Sequence, residues 1–87
     1  MKKQFENFLI GRGYKTKTPS GLPSTVYQYM EWVDKVCKRE CKSWGELKLN
    51  IDDIVRRYDD GGREEAYGSQ GHRTVINALK RFREFVR

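Results

Sequence analysis

The segment Ser69–Arg87, SQGHRTVINALKRFREFVR, is the stretch of sequence that decides the fold of this chain. On a helical wheel of 100° per residue its apolar residues fall on one side. They are Val75, Ile76, Ala78, Leu79, Phe82, Phe85 and Val86. The other side carries Arg73, Asn77, Lys80, Arg81, Glu84 and Arg87, with Arg83 at the boundary. The pattern predicts an amphipathic helix that packs its apolar face into a core and exposes a basic face.

The charge of this predicted helix suggests a partner. Ser69–Arg87 contains five Arg or Lys residues and one acidic residue. Such an excess of positive charge favours a polyanion, and double-stranded DNA is the partner we expect. An ordinary structural explanation stays open, because basic side chains near a helix C-terminus also complement the helix dipole and keep the surface soluble.

Length and composition limit the class of protein. The chain has 87 residues and a net charge of +6, which predicts one helical domain over residues 1–87. A domain of this size has little room for a deep substrate cleft, so we expect neither an enzyme nor a small-molecule substrate. No apolar run approaches the roughly 20 residues of a membrane span, and no secretion signal follows the first lysines. The sequence therefore predicts a cytoplasmic protein that does not enter a membrane.

The cysteine and histidine content argues against a metal site. Cys37 and Cys41 lie four residues apart on a predicted helix, where both are expected on its apolar side as reduced thiols. Together with the single His72 they do not supply the four closely spaced ligands of structural zinc. We predict no metal, no cofactor and no catalytic residue.

The remainder of the chain predicts further helices separated by loops rich in glycine, proline and hydroxyl residues. The predicted elements are a first helix over Lys2–Ile10, a loop over Tyr14–Pro23, a second helix from Pro23 or Ser24 to about Cys41, a short turn at Ser43–Leu47, a third helix over Ile51–Tyr58 capped by Asn50, and a loop over Arg63–Gly71. The predicted fold is an all-α compact bundle of four helices, with or without one extra short helical turn.

Three stretches resemble a known family. Phe8-Leu9 followed by Arg12-Gly13-Tyr14 looks like a first helix ending in a basic glycine turn. Thr25, Tyr29 and Val33 look like the spaced positions of a second helix, and Thr74–Val86 looks like a last helix with paired aromatic residues. In this order they resemble the N-terminal SAM-like core-binding domain of the tyrosine recombinases, the phage integrase family.

This resemblance implies a DNA-binding domain that takes part in integration or recombination without catalysing it. A separate C-terminal domain of a longer chain would carry the tyrosine nucleophile and its basic pocket. The matching DNA-binding positions are Ser24, Thr25, Gln28, Arg73, Asn77, Lys80, Arg81 and Arg87. Lys15 and Lys17, on the loop before the second helix, join this predicted set on grounds of charge.

A second function stays open at this point. The basic face could instead dock an acidic protein, which would make the chain a SAM-like interaction module. The basic termini and the slightly acidic middle of the chain would also permit copies to associate head to tail.

Overall fold

Six α-helices and no β-strand form the described part of the chain, residues 1–16 and 24–87 of a computed structural model. The helices are α1 (Lys2–Gly11), α2 (Thr25–Arg39), α3 (Trp44–Leu49), α4 (Ile51–Tyr58), α5 (Glu65–Gly68) and α6 (Gln70–Val86). The all-α class predicted from the periodicity is therefore confirmed. The predicted turn at Ser43–Leu47 corresponds to α3.

The last helix, α6, is the centre of the packing. It contacts each of the other five helices, and its most extensive contact is with α2. The side chains that it buries are Val75, Ile76, Ala78, Leu79 and Phe82. These residues belong to the apolar set predicted for this helix, so the prediction of its inner face is confirmed.

Aromatic rings join α6 to α1 and α3. Phe82 is fully buried and lies edge-on to Phe5 of α1 and to Trp44 of α3, with ring centroids 5.4 Å apart in each pair. Phe85 lies 5.4 Å from Phe5 and is only partly buried. Edge-to-face pairs add to the free energy gained by burial. The cluster holds the amino end of α1 and the carboxyl end of α6 together.

Serine caps define where α2 and α3 begin. Ser24 accepts a hydrogen bond from the backbone N–H of Tyr27, and Ser43 forms a capping box with Glu46. Asn50 precedes α4 as expected, but its side chain does not cap that helix. It donates instead to the carbonyl of Glu46, so the predicted cap is wrong and Asn50 closes α3.

The predicted loop Arg63–Gly71 contains the short helix α5, which the sequence did not indicate. Four residues are too few to show a helical period. The position of α5 depends on Gly68, because a β-carbon there would collide with the backbone carbonyl of Tyr58 at the end of α4. A tertiary contact therefore determines this helix.

The start of α6 departs from regular helix geometry. Gly71, His72 and Arg73 all have positive φ angles, of 64°, 58° and 69°. Such values are uncommon for residues other than glycine. The prediction of one regular helical face from Ser69 is therefore wrong at Arg73, whose side chain leaves the backbone in a direction that a continuous helix would not give it.

Two helices end in the same backbone motif with different residues. After α1, Gly13 has φ 94° and its N–H bonds to Ile10, while the N–H of Tyr14 bonds to Leu9. After α2, Cys41 has φ 55° and the equivalent bonds run to Lys38 and Cys37. This is the Schellman arrangement, in which glycine is favoured. Cys41 is consequently exposed, so only Cys37 is buried as predicted.

We expect Cys41→Gly to raise the free energy of unfolding by about 0.5–1 kcal/mol, because glycine adopts a positive φ without a side-chain clash. Gly13→Cys, at the matching position after α1, should lower it by a similar amount. Urea unfolding followed by circular dichroism measures both. Destabilisation by Cys41→Gly would contradict the left-handed conformation at this position.

Glu40 joins the carboxyl ends of α2 and α4. Its carboxylate lies 2.8 Å from Arg57 Nη2 and accepts a hydrogen bond of 2.6 Å from the Tyr58 hydroxyl. Partial burial raises the pKa of Glu40, but the bonds from Arg57 and Tyr58 outweigh it and hold that pKa below its ordinary value. Burial and the same carboxylate raise the pKa of Tyr58. The cluster is therefore ionised at Glu40 and neutral at Tyr58 at pH 7.

Glu40→Gln should lower the free energy of unfolding at pH 7 by about 1–2 kcal/mol, because it removes a largely buried charged partner. The Glu40 contribution is fully present above the unfolded pKa near 4.5 and is lost as the pH falls through the lower folded value. Wild type and variant should thus converge as the pH falls below the folded pKa of Glu40. Urea midpoints across this range test it, and Glu31→Gln, on an exposed pair with Lys35, is the matched control. Parallel pH profiles for wild type and Glu40→Gln would contradict it.

Candidate nucleic-acid interface

The polar face of α6 is covered in large part by neighbouring side chains. The side chains of Lys80 and Arg81 are each 27% exposed. Asn77, which lies between Arg73 and Lys80 in the chain, is half-buried. The sequence predicted a basic face open to solvent. The structure places these residues on one side of α6, as expected, but with acidic neighbours.

Arg73 and Lys80 converge on two carboxylates at the end of α4. Arg73 lies 2.7 Å from Asp60 and 3.4 Å from Asp59, and Lys80 lies 3.1 Å from Asp59. The backbone N–H of Asp60 and then the Lys80 ammonium lower the pKa of Asp59. Asp59 therefore carries its negative charge at neutral pH and offsets the positive charge beside it.

Arg81 and Arg12 share a third carboxylate. Glu84 lies 3.2 Å from Arg81 and 2.9 Å from Arg12, the residue that follows α1. Arg12 is 48% exposed and was not among the residues predicted to bind DNA. We call Arg12, Arg73, Lys80 and Arg81, with their partners Asp59, Asp60 and Glu84, the ion-paired face. Four cations thus meet three carboxylates on this side of the molecule.

Tyr14 connects this face to the beginning of α2. Its hydroxyl accepts a 3.4 Å hydrogen bond from Arg81, and its ring lies edge-on to Tyr29 of α2 at 5.4 Å. The carbonyl of the next residue, Lys15, accepts a bond from the N–H of Val26. These contacts bring Lys15 and the amino end of α2 beside the ion-paired face, so two separately predicted groups form one surface.

The three predicted residues at the start of α2 have different environments. Ser24 is only 1% exposed and its hydroxyl caps the helix, so this side chain does not reach the surface where a DNA contact was expected. Thr25 is exposed, whereas Gln28 is half-buried and already has an interaction partner. The amino end of α2 keeps its partial positive charge in this position.

Arg87 does not join this surface. It pairs with Asp52 at the start of α4, at 2.7 Å, away from the ion-paired face. Lys17 lies outside the residues that the structure describes. The surface that the structure assembles from the predicted set therefore consists of Lys15, Thr25, Gln28 and the α6 residues, with Arg12 added.

Within the described residues, the excess of positive charge lies on cations that pair with no described carboxylate. All twelve carboxylates of Asp and Glu are engaged: ten form ion pairs, while Glu46 and Glu65 accept bonds from backbone N–H groups. Within the described ranges, the cations that form no ion pair with a described residue are Lys15, Lys38, Lys42, Lys48, Arg63 and Arg83. Only Lys15 belongs to the predicted DNA-binding set. Pairs spaced three or four residues apart are readable from sequence, but those joining distant segments are not.

The ion-paired face can bind an anion by exchange. Exposed salt bridges stabilise a protein by only about 0–1 kcal/mol each, so a phosphate can replace a carboxylate at little cost. Guanidinium groups such as those of Arg73 and Arg81 bind planar carboxylates and phosphates with the same donor geometry. The affinity of this face for an anion then depends on how far its positive charges outnumber its internal carboxylates.

Residues 1–16 and 24–87 contain neither a metal-ligand cluster nor a helix suited to span a membrane. No group of three His, Cys, Asp or Glu side chains in these ranges could hold a metal ion. None of the helices there combines the length and the apolar character that a membrane span requires.

Comparison with known proteins adds no relative: no protein-family model, curated protein or solved structure matches this chain. The resemblance to the core-binding domain of tyrosine recombinases therefore stays a prediction from the sequence.

Proposed function

We propose that this chain is a non-catalytic domain that binds duplex DNA through the amino end of α2 and the ion-paired face. The observation that carries the proposal is the convergence at Tyr14, which sets Lys15 and the start of α2 beside Arg81. The position in an integrase-like chain with a separate catalytic domain, and a cytoplasmic location, belong to the same proposal. The first rests on the sequence resemblance alone, and the second on the apolar pattern of the sequence.

The internal carboxylates weaken the predicted binding. Lys15 and the four cations of the ion-paired face oppose three carboxylates, which leaves about two uncompensated charges. Counterion release then gives a slope of about −2 in a plot of log affinity against log salt, or about a tenfold loss between 50 and 200 mM. Five free cations would instead lose roughly two to three orders of magnitude.

Asp59→Asn combined with Asp60→Asn should strengthen DNA binding. The change frees Arg73 and Lys80, and it should steepen the salt slope to about −4. The amide introduced by Asp59→Asn keeps an oxygen able to accept the backbone bond that the Asp59 carboxylate now receives. Fluorescence anisotropy with a labelled random duplex at about 50 and 200 mM salt measures the effect.

The matched control is Glu31→Gln combined with Asp53→Asn, which raises the net charge equally but releases Lys35 and Arg56 elsewhere and leaves Arg57 paired with Glu40. An equal gain in both double variants would mean that net charge alone attracts DNA. No gain from the Asp59 and Asp60 changes would exclude the ion-paired face.

Lys15→Gln should weaken DNA binding uniformly across sequences and reduce the salt slope by about 1, because one phosphate contact is lost. Lys38→Gln removes another exposed, unpaired lysine, from the second half of α2, and should leave the slope almost unchanged. The same anisotropy titration compares them. Equal effects of the two substitutions would contradict a binding surface centred on the start of α2.

A further inference from the structure

An open groove lies between the amino end of α1, the helix α3 and the carboxyl end of α6. Its volume is about 390 Å³ and its lining residues are Met1, Gln4, Lys48, Phe85 and Val86. None of them belongs to the surface proposed to bind DNA. The groove exists because the ring cluster of Phe5, Phe82 and Trp44 holds these helix ends together.

The lining of the groove is partly polar and partly apolar, and its apolar part adjoins the core. Phe85 and Val86 pack on the core with one side and remain partly exposed on the other. Met1 is 44% exposed, and Leu49, which follows Lys48 in the chain, is 82% exposed. Single exposed apolar residues are common, but apolar side chains lining a concave surface are typical of a binding site.

Lys48 is the charged residue of this lining, and it forms no ion pair with a described residue. The acidic groups of the adjoining segments are already engaged. Asp52 binds Arg87 at 2.7 Å, and Glu46 accepts the N–H of Ser43 in the capping box of α3. A counterion for Lys48 would therefore come from another molecule.

We propose that this groove docks an acidic amphipathic helix of a partner protein. Apolar side chains of that helix would lie on Phe85, Val86 and Met1, while one of its carboxylates would pair with Lys48. Binding a helix through its apolar face in a hydrophobic groove is a recurrent mode of recognition. Charge complementarity selects an acidic helix over a basic one.

A second copy of the chain fits the groove less well than an acidic partner. Every carboxylate of this chain's Asp and Glu residues is already bound to a cation or to a backbone N–H, so a copy would have to release one, at a small cost for an exposed pair. A separate acidic segment brings its carboxylates without that loss. The proposal does not depend on DNA binding, since the two surfaces share no residue.

The test uses a fluorescent synthetic helix of about 14 residues, with leucines at positions i, i+4 and i+7 flanked by glutamates. A twin peptide carries lysine in place of each glutamate. The acidic peptide should bind, and amide shifts of Gln4, Lys48, Phe85 and Val86 in the nuclear magnetic resonance spectrum should follow the titration. Lys48→Glu should weaken binding about three- to tenfold, because it replaces attraction by repulsion.

Two further variants control for folding and for net charge. Gln4→Glu also places a carboxylate in the groove, at the first turn of α1, where the helix dipole favours it, so binding should fall while helicity is retained. Lys15→Glu changes the net charge as Lys48→Glu does, but at the surface proposed for DNA, and should leave peptide affinity unchanged.

Several outcomes would overturn the proposal. These are no binding of the acidic peptide at millimolar concentration, equal binding of the basic twin, or unchanged affinity in both Lys48→Glu and Gln4→Glu. Sedimentation that shows self-association abolished by Lys48→Glu would assign the groove to a second copy and reject the acidic partner.

Discussion

Burial of Phe82 is the constraint on which the arrangement of the helices depends. Its ring is fully enclosed and meets Phe5 of α1 and Trp44 of α3 at 5.4 Å each. Because α6 also buries Val75 and Leu79, it lies in contact with all five other helices. Dense packing of this kind leaves each neighbouring helix few alternative positions. The ends of α1, α3 and α6 are therefore held in fixed relation, and both proposed surfaces follow from that relation.

The enclosure of α6 also determines how its charges are paired. The five neighbouring helices leave little open surface on α6, so its long basic side chains extend over adjacent elements. Lys80 meets Asp59, which follows α4, and Arg81 and Arg12 meet Glu84. The same packing that buries the apolar face thus neutralises much of the basic one. The excess positive charge of the chain lies elsewhere, at residues such as Lys15 and Lys48.

The unpaired lysines of the two proposed surfaces lie in different surroundings. At the start of α2, Lys15 lies beside exchangeable ion pairs in a polar setting, which suits a phosphate backbone. At the other surface, Lys48 lies among apolar side chains and suits a partner that brings both carboxylates and hydrophobic anchors. One domain can present both, because the surfaces are formed by different helix ends.

The sequence by itself determined the helices and their inner faces, because the periods of residues such as Val33, Ile54 and Leu79 are local properties of the chain. The start of α2 was predicted at Pro23 or Ser24, next to its first residue Thr25, and the exposed pair of Glu31 and Lys35 follows from their spacing. Tertiary structure decided the helix α5, while the kink at Arg73 and the left-handed conformation of Cys41 are backbone features that the apolar period does not reveal. Tertiary structure also decided which charges are free, since the pairs Arg12 with Glu84 and Arg73 with Asp60 join segments far apart in sequence. Coulomb attraction depends on distance in space, and only packing brings those distances about.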